Sequence, residues 1–235
     1  MPALANPLSF ENRPLFCYVT DRRILPAARL SESIPALLQK VQVIVSAGID
    51  WVQLREKDLS AKDLSKLTRE SWSYMMQVSA RSPELPRIVI NDRLDVAITE
   101  RAGGVHLGEQ SLPVAEVRRL LDASPVMPAL GHGFLVGVSC HSLAAAQSAA
   151  QSGADYIFFG PVFATPSKAT YGSPQGLERL SEVCRAVAVP VLAIGGITLE
   201  NAGSCLAAGA AGIAAIRLFQ DAADPAALVA ALHGI

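Results

Sequence analysis

The sequence predicts a single α/β domain, a (β/α)8 barrel of the TIM type over residues 1–235, with residues 1–14 as an extended N-terminal segment. Three observations predict it. Eight short β-rich apolar runs recur along the chain, each followed by a stretch with apolar residues at helical spacing. The runs lack polar alternation, as strands do when both faces are covered. No composition break divides the 235 residues, and one such barrel typically takes about 250 residues. A doubly wound open sheet is the competing architecture, but even spacing without a switch favours closure.

The first strand is expected at Phe16–Thr20 (FCYVT), the second at Trp51–Arg55 (WVQLR), the third at Arg87–Asn91 (RIVIN) and the fourth at Gly104–Leu107 (GVHL). The others follow at Leu135–Ser139 (LVGVS), Asp155–Phe159 (DYIFF), Pro190–Ile194 (PVLAI) and Gly212–Ile216 (GIAAI). Helical spacing is clear over Leu59–Ala80 and Leu143–Ser152. Ser60, Ser142 and Thr198 stand as N-caps, and Gly48, Gly103, Gly153 and Gly209 as helix stops. A small-Gly-apolar turn recurs before a strand at Ala47–Ile49, Ser152–Ala154 and Ala208–Ala210. Two connectors break the rhythm: the Pro/Gly-rich Ala123–Phe134 before strand five, and Ala164–Gly176 after strand six, too long for a plain turn.

Composition narrows the function classes. Lys and Arg number 20 against 21 Asp and Glu, a formal net charge of -1. Nucleic acid and anionic membrane surfaces, which call for a basic excess, are therefore not expected as partners. Mean hydropathy is +0.32, yet the most apolar stretch, Ala202–Ile216, is mostly Ala and Gly and too short to span a bilayer. The segment Met1–Leu15 lacks the pattern of a signal peptide. Cys17, Cys140, Cys184 and Cys205 are scattered and form no CxxC pair, so buried thiols are expected rather than disulfides or a zinc site. A cytoplasmic enzyme fits this profile.

In a barrel, chemistry sits at the C-terminal ends of the strands. Gln53, Arg55 and Lys57 alternate and so share one face turned to the mouth. Two inward cations call for an anion, or else they pair with Glu56 or Asp58. Gly195-Gly196 after strand seven, ahead of Thr198, either let backbone N–H groups approach a phosphate or serve a tight turn. Lys168 is a third cation over the mouth or a solvated loop residue. Asn91-Asp92 offer oxygen ligands for a hard cation such as Mg²⁺, unless Asp92 pairs with Arg93 or Arg55. His106 and His141 are acid–base candidates or hydrogen-bonded scaffold, and Ser139 contacts substrate or caps the next turn. No GxSxG elbow supports hydrolase chemistry.

The series YVTD, VQLREK, INDRLDVA, GVHLGE, GVSCHS, GADYIFFGPVFATPSK and AIGGIT resembles the thiamine phosphate synthase and TenI family across nearly the whole chain. The resemblance implies a (β/α)8 barrel. It implies a transferase joining hydroxymethylpyrimidine diphosphate to a thiazole phosphate, releasing diphosphate and giving thiamine phosphate. It makes Arg55, Lys57 and Lys168 the catalytic cations and Gln53, Asn91 and Ser139 pyrimidine diphosphate contacts. Asp92 becomes a Mg²⁺ ligand, Thr165 and Ser167 thiazole contacts, and Gly195 or Gly196 the thiazole phosphate site, with Ile216 and Arg217 beside it. Its partners are small phosphorylated substrates, and a homo-oligomer is compatible with the sequence.

Three departures accompany the resemblance. Ser111 stands where the synthases carry a second Mg²⁺ aspartate, with Glu109 nearby as a possible replacement. Arg217 replaces a small serine and either clamps the phosphate or fills its space. The long loop, with Tyr171-Gly172 and Pro174–Leu177, is closer to TenI-type thiazole tautomerases, although the histidine associated with those is Pro161 here. A thiazole tautomerase and a non-catalytic thiamine-pathway binder are the alternatives.

Overall fold

Eight parallel strands close on themselves in chain order in the computed structural model, which describes residues 13–26, 32–79, 86–124, 133–165 and 173–235. They are β1 (Leu15–Val19), β2 (Trp51–Leu54), β3 (Arg87–Asn91), β4 (Gly104–Leu107), β5 (Leu135–Cys140), β6 (Tyr156–Phe159), β7 (Val191–Ile194) and β8 (Gly212–Ala215). β8 returns to pair with β1, with Leu15 opposite Gly212. The open-sheet alternative is thereby set aside. Each strand lies within a residue or two of its expected place. β2 stops at Leu54 because the Arg55 N–H leaves the ladder and donates to Thr20 Oγ1 at 2.9 Å.

Among the described residues, the helices are α1 (Ser33–Ser46), α2 (Ala61–Ser79), α3 (Leu94–Thr99), α4 (Val114–Asp122), α5 (Leu143–Gln151), α6 (Gly176–Ala186), α7 (Leu199–Ala207), α8 (Arg217–Gln220) and α9 (Pro225–His233), with a 3-10 turn at Arg22–Ile24. The expected caps form. Ser142 Oγ accepts from Ala145 N, Ser60 Oγ from Asp63 N, and Thr198 and Asn201 make a reciprocal capping box. Helix exits at Gly48, Gly153 and Gly209 take φ of 90°, 93° and 102°, the left-handed turn for which glycine carries no Cβ penalty. Gly103 is a correction. It is not left-handed; Arg101 takes that role at φ 51°. Gly103 is small for another reason, since a Cβ there would lie 2.5 Å from Arg87 Cγ.

Period-two alternation divides the core. Leu15, Cys17 and Val19 point into the barrel with Trp51, Val89, Leu135, Tyr156, Phe158, Leu192 and Ala214, while Phe16 and Tyr18 belong to the outer core, with ring contacts to His233 and Phe219. Every residue of β1, β2, β4, β6 and β8 is buried, which accounts for strands without polar alternation. The interior holds an aromatic column: Trp51 meets Tyr156 edge-on at 4.9 Å between centroids, and His106 lies 4.2 Å from Phe158. Small residues make room for it, as the Cβ of a residue at Gly137 would meet Tyr156 Cζ at 2.0 Å. All four cysteines are free, three of them buried. No helix among the described residues is long and apolar enough to cross a membrane. Residues 125–132 and 166–172 of the two connectors, with Ser167 and Lys168, lie outside the described residues.

Candidate active site

The C-terminal ends of the strands open into a cavity of about 770 Å3. Seven of the residues selected from sequence line it: Gln53, Arg55, Lys57, Asn91, Asp92, Ser139 and Ile216. The alternation expected past the end of β2 holds, so Gln53, Arg55 and Lys57 lie along one wall. Gln53 is buried, and its side-chain amide donates to Asn91 Oδ1 at 3.2 Å. Two neighbouring strand ends are thus tied into one polar ledge.

Arg55 and Lys57 form no ion pair with a described residue. Glu56 and Asp58, the carboxylates next to Lys57 in the chain, are both held by Arg22, at 3.0 and 2.7 Å. Partial burial, and then the neighbouring Arg55 and Arg23 charges, hold the Lys57 ammonium below its ordinary value, with Asp92 opposing. The Arg55 and Arg23 contributions reflect positive charge gathered near Lys57, and burial adds a desolvation cost of its own. Such a wall favours a polyanion.

Asp92 has a left-handed backbone at φ 64°, a region Asp tolerates better than most residues. Its N–H donates to His106 O at 2.8 Å and its C=O accepts from Leu94 N, which fixes it at the rim. Arg93 does not neutralise it, because Arg93 pairs with Asp95 at 2.5 Å. Ser111 closes a tight turn: its Oγ accepts from Gly108 N at 2.7 Å. Glu109 and Gln110 stand at the tip of that turn and line the cavity. Asp21 is taken by Arg23 and Glu56 by Arg22. Asp92 and Glu109 are therefore the cavity carboxylates without an ion-pair partner among the described residues. No cluster of three or more His, Cys, Asp or Glu residues suited to a metal occurs among those residues. Two open carboxylates lining the same cavity as Arg55 and Lys57 fit the way Mg²⁺ is usually held, by one or two carboxylates with substrate phosphates and water.

His106 is buried and bridges two hydroxyls, Tyr156 at 3.1 Å from Nδ1 and Ser139 at 2.9 Å from Nε2. Burial pushes the Tyr156 phenol far above its ordinary value, so it stays protonated, and the His106 ring links the Tyr156 and Ser139 hydroxyls, its tautomer setting the direction of both bonds. His106 is scaffold that orients Ser139. The ring of His141 also lines the cavity, and its Nδ1–H donates to Gly160 O.

Of the other described candidates, Thr165, Gly195, Gly196 and Arg217 are not among the residues lining the cavity. Gly195 and Gly196 take φ of 96° and 66°. A Cβ on them would meet Pro161 and the Ala164 carbonyl at 2.6 Å, so the pair is needed for the β6 loop to pack down. Their N–H groups donate to no described backbone carbonyl. α8 begins directly after β8, and loops seven and eight with a short extra helix are the usual phosphate position of barrels. The exposed side chain of Arg217 reaches Asp221 at 3.6 Å. Thr165 is half-buried at the last described position of the β6 loop.

Arg23 is a cavity cation that sequence reading missed. In the string Thr20-Asp21-Arg22-Arg23 it reads as a solvated turn, and only the 3-10 geometry of Arg22–Ile24 turns Arg22 inward and Arg23 to the cavity.

Comparison with known proteins agrees with this geometry. The family model "Thiamine monophosphate synthase" matches residues 23–219. A thiamine-phosphate synthase of Roseiflexus sp. (strain RS-1) is 37% identical over 232 residues, 98% of this chain and 89% of that relative. One from Chlorobium luteolum is 36% identical over 218 residues, 93% of this chain and 91% of its own. A thiamine phosphate pyrophosphorylase structure from Pyrococcus furiosus superposes with a TM-score of 0.74 at 26% identity, covering 95% of each chain. The chain belongs to the thiamine monophosphate synthase family.

Proposed function

We propose that this protein is a thiamine phosphate synthase, joining hydroxymethylpyrimidine diphosphate to a thiazole phosphate and releasing diphosphate. The observation that carries the reading is the pair Arg55 and Lys57, which face the cavity with no carboxylate partner among the described residues. In the reaction the bond between the pyrimidine methylene carbon and the diphosphate oxygen breaks, and the electron pair leaves with the diphosphate. The thiazole nitrogen then supplies the pair for a new carbon–nitrogen bond to the same methylene carbon. No proton must move at the reacting centre, so the demand on the protein is charge stabilisation and exclusion of water.

Arg55 and Lys57 meet that demand by pulling on the departing oxygens, a preorganised contact that strengthens as charge develops. The Gln53–Asn91 ledge and the Ser139 hydroxyl orient the diphosphate and the ring. Phe158, Ile194 and Ile216 supply apolar wall, limiting capture of the carbon cation by water. The glycine pair with the start of α8 receives the thiazole phosphate, and by the resemblance Thr165 and Ser167 contact the thiazole while Lys168 adds a third cation. Asp92 and Glu109 would hold Mg²⁺, which when bound shares the negative charge of the diphosphate. The substrates are small phosphorylated molecules, and a cytoplasmic setting belongs to the same proposal.

Purified protein incubated with both substrates and Mg²⁺ should release diphosphate and form thiamine phosphate in equal amounts. Conversion of a thiazole phosphate tautomer without consumption of the pyrimidine diphosphate would instead identify a tautomerase. No turnover of either kind at high enzyme concentration would leave only the binder reading.

A further inference from the structure

Lys57 lies between two carboxylates in the chain, Glu56 and Asp58, and either is close enough in sequence to cancel it or Arg55. Neither does so. The Arg22 side chain, only 6% exposed, donates through Nη1 to Glu56 Oε2 at 3.0 Å and to Asp58 Oδ1 at 2.7 Å, and through Nη2 to Asp58 Oδ2 at 2.8 Å. Glu56, 1% exposed, has the rest of its acceptor capacity met from the same side. Thr20 Oγ1 donates to it at 2.7 Å and Arg22 N at 3.2 Å. Thr20 Oγ1 in turn accepts from Arg55 N at 2.9 Å. The carboxylates are drawn to the β1 side of the strand end while Arg55 and Lys57 face the cavity.

We infer that Arg22 is a positioning residue: it sequesters Glu56 and Asp58 so that Arg55 and Lys57 meet the diphosphate with undivided charge. The inference rests on the reading of the cavity as a diphosphate site. Chemistry explains why the residue is an arginine. Its planar fork presents several donors at once and spans two carboxylates, whereas a lysine ammonium is a point charge. Burial strengthens the Arg22–Glu56 attraction and excludes water from it, while the Asp58 arm, 48% exposed, relies on its two-point contact with the guanidinium. The Arg22 guanidinium also holds the Asp58 carboxyl below its usual range, so Asp58 is an anion throughout the neutral range and would be an effective competitor for Lys57 if released. Arg23, one residue on, is paired with Asp21 instead and cannot take over the task.

Titration calorimetry of the full chain with inorganic diphosphate, with and without Mg²⁺, tests this. Wild-type protein should bind. Arg22→Gln should bind about tenfold more weakly or worse, the scale expected when close charges are re-paired. The triple variant Arg22→Gln, Glu56→Gln, Asp58→Asn should recover most of the lost affinity, because the competing charges are gone while the amides keep hydrogen-bonding capacity. A purely structural role for Arg22 predicts the reverse, a triple variant as weak as the single or weaker, and would overturn the inference. So would wild-type affinity in Arg22→Gln. If Arg22→Gln does not fold, Arg22→Lys replaces it; that side chain satisfies one carboxylate and should still bind more weakly than wild type, and unchanged affinity overturns the inference. Failure of the wild-type protein itself to bind diphosphate would instead reject the diphosphate site on which the inference rests.

Discussion

Lys57 carries the most direct consequence at the scale of single residues. Its ammonium is held below the ordinary lysine value by partial burial first and by Arg55 and Arg23 next. A lowered value means that charge is lost at a lower pH than an ordinary lysine, near 10.4, would lose it. Diphosphate affinity should therefore be greatest below the Lys57 value and fall as pH rises through it, and bound diphosphate should push that value back up. Lys57→Arg stays charged over this range, so the alkaline decline should disappear in that variant; an identical decline would mean that another group is responsible. Much at this scale was legible in the sequence. Gln53, Arg55, Lys57, Asn91 and Asp92 follow from strand periodicity and the rule that strand ends carry chemistry. The fates of Glu56, Asp58 and Arg93 were not legible, because each depended on a partner chosen in three dimensions. Arg22, 34 residues before Glu56, takes the two carboxylates that the sequence left as alternative partners of Arg55 and Lys57.

Whole elements were the easiest to read. Strands buried on both faces stand out as apolar runs, and three of the four expected glycine exits are left-handed as their turns require. Gly103 was misread because a glycine directly before β4 looks like the helix exit, while the left-handed turn falls earlier, at Arg101. The sequence does not reveal which strand residues face each other inside the barrel. Gly137 on β5 lies opposite Tyr156 on β6, and the space it leaves lets the phenol reach His106 and so orient Ser139. Gly137→Ala should drive a methyl into the Tyr156 ring and lower unfolding stability by about 1–3 kcal/mol, the usual cost of overpacking. Urea denaturation measures this directly. Wild-type stability in that variant would mean that the Tyr156 ring is free to move, and the orientation of Ser139 would lose its support.

For the molecule as a whole, a net charge of -1 and an apolar composition conceal a polarised barrel. The composition follows from a closed sheet filled by side chains within and wrapped by Ala-rich helices without. The charge sums to near zero because 20 Lys and Arg stand against 21 Asp and Glu, and many of these are paired in space, as in Arg118–Asp155 and Arg69–Glu100. At the C-terminal mouth the pairing is incomplete: Arg55, Lys57, Asp92 and Glu109 all line the cavity, and none forms an ion pair among the described residues. The proposed ligand, a diphosphate with its divalent cation, would satisfy both sets of charges together. The central claim is therefore a location, and a crystal soaked with diphosphate and Mg²⁺ tests it most directly. The account predicts diphosphate against Arg55 and Lys57 with the cation on Asp92. Diphosphate bound away from this wall, or a mouth that stays empty at saturating ligand, would contradict it.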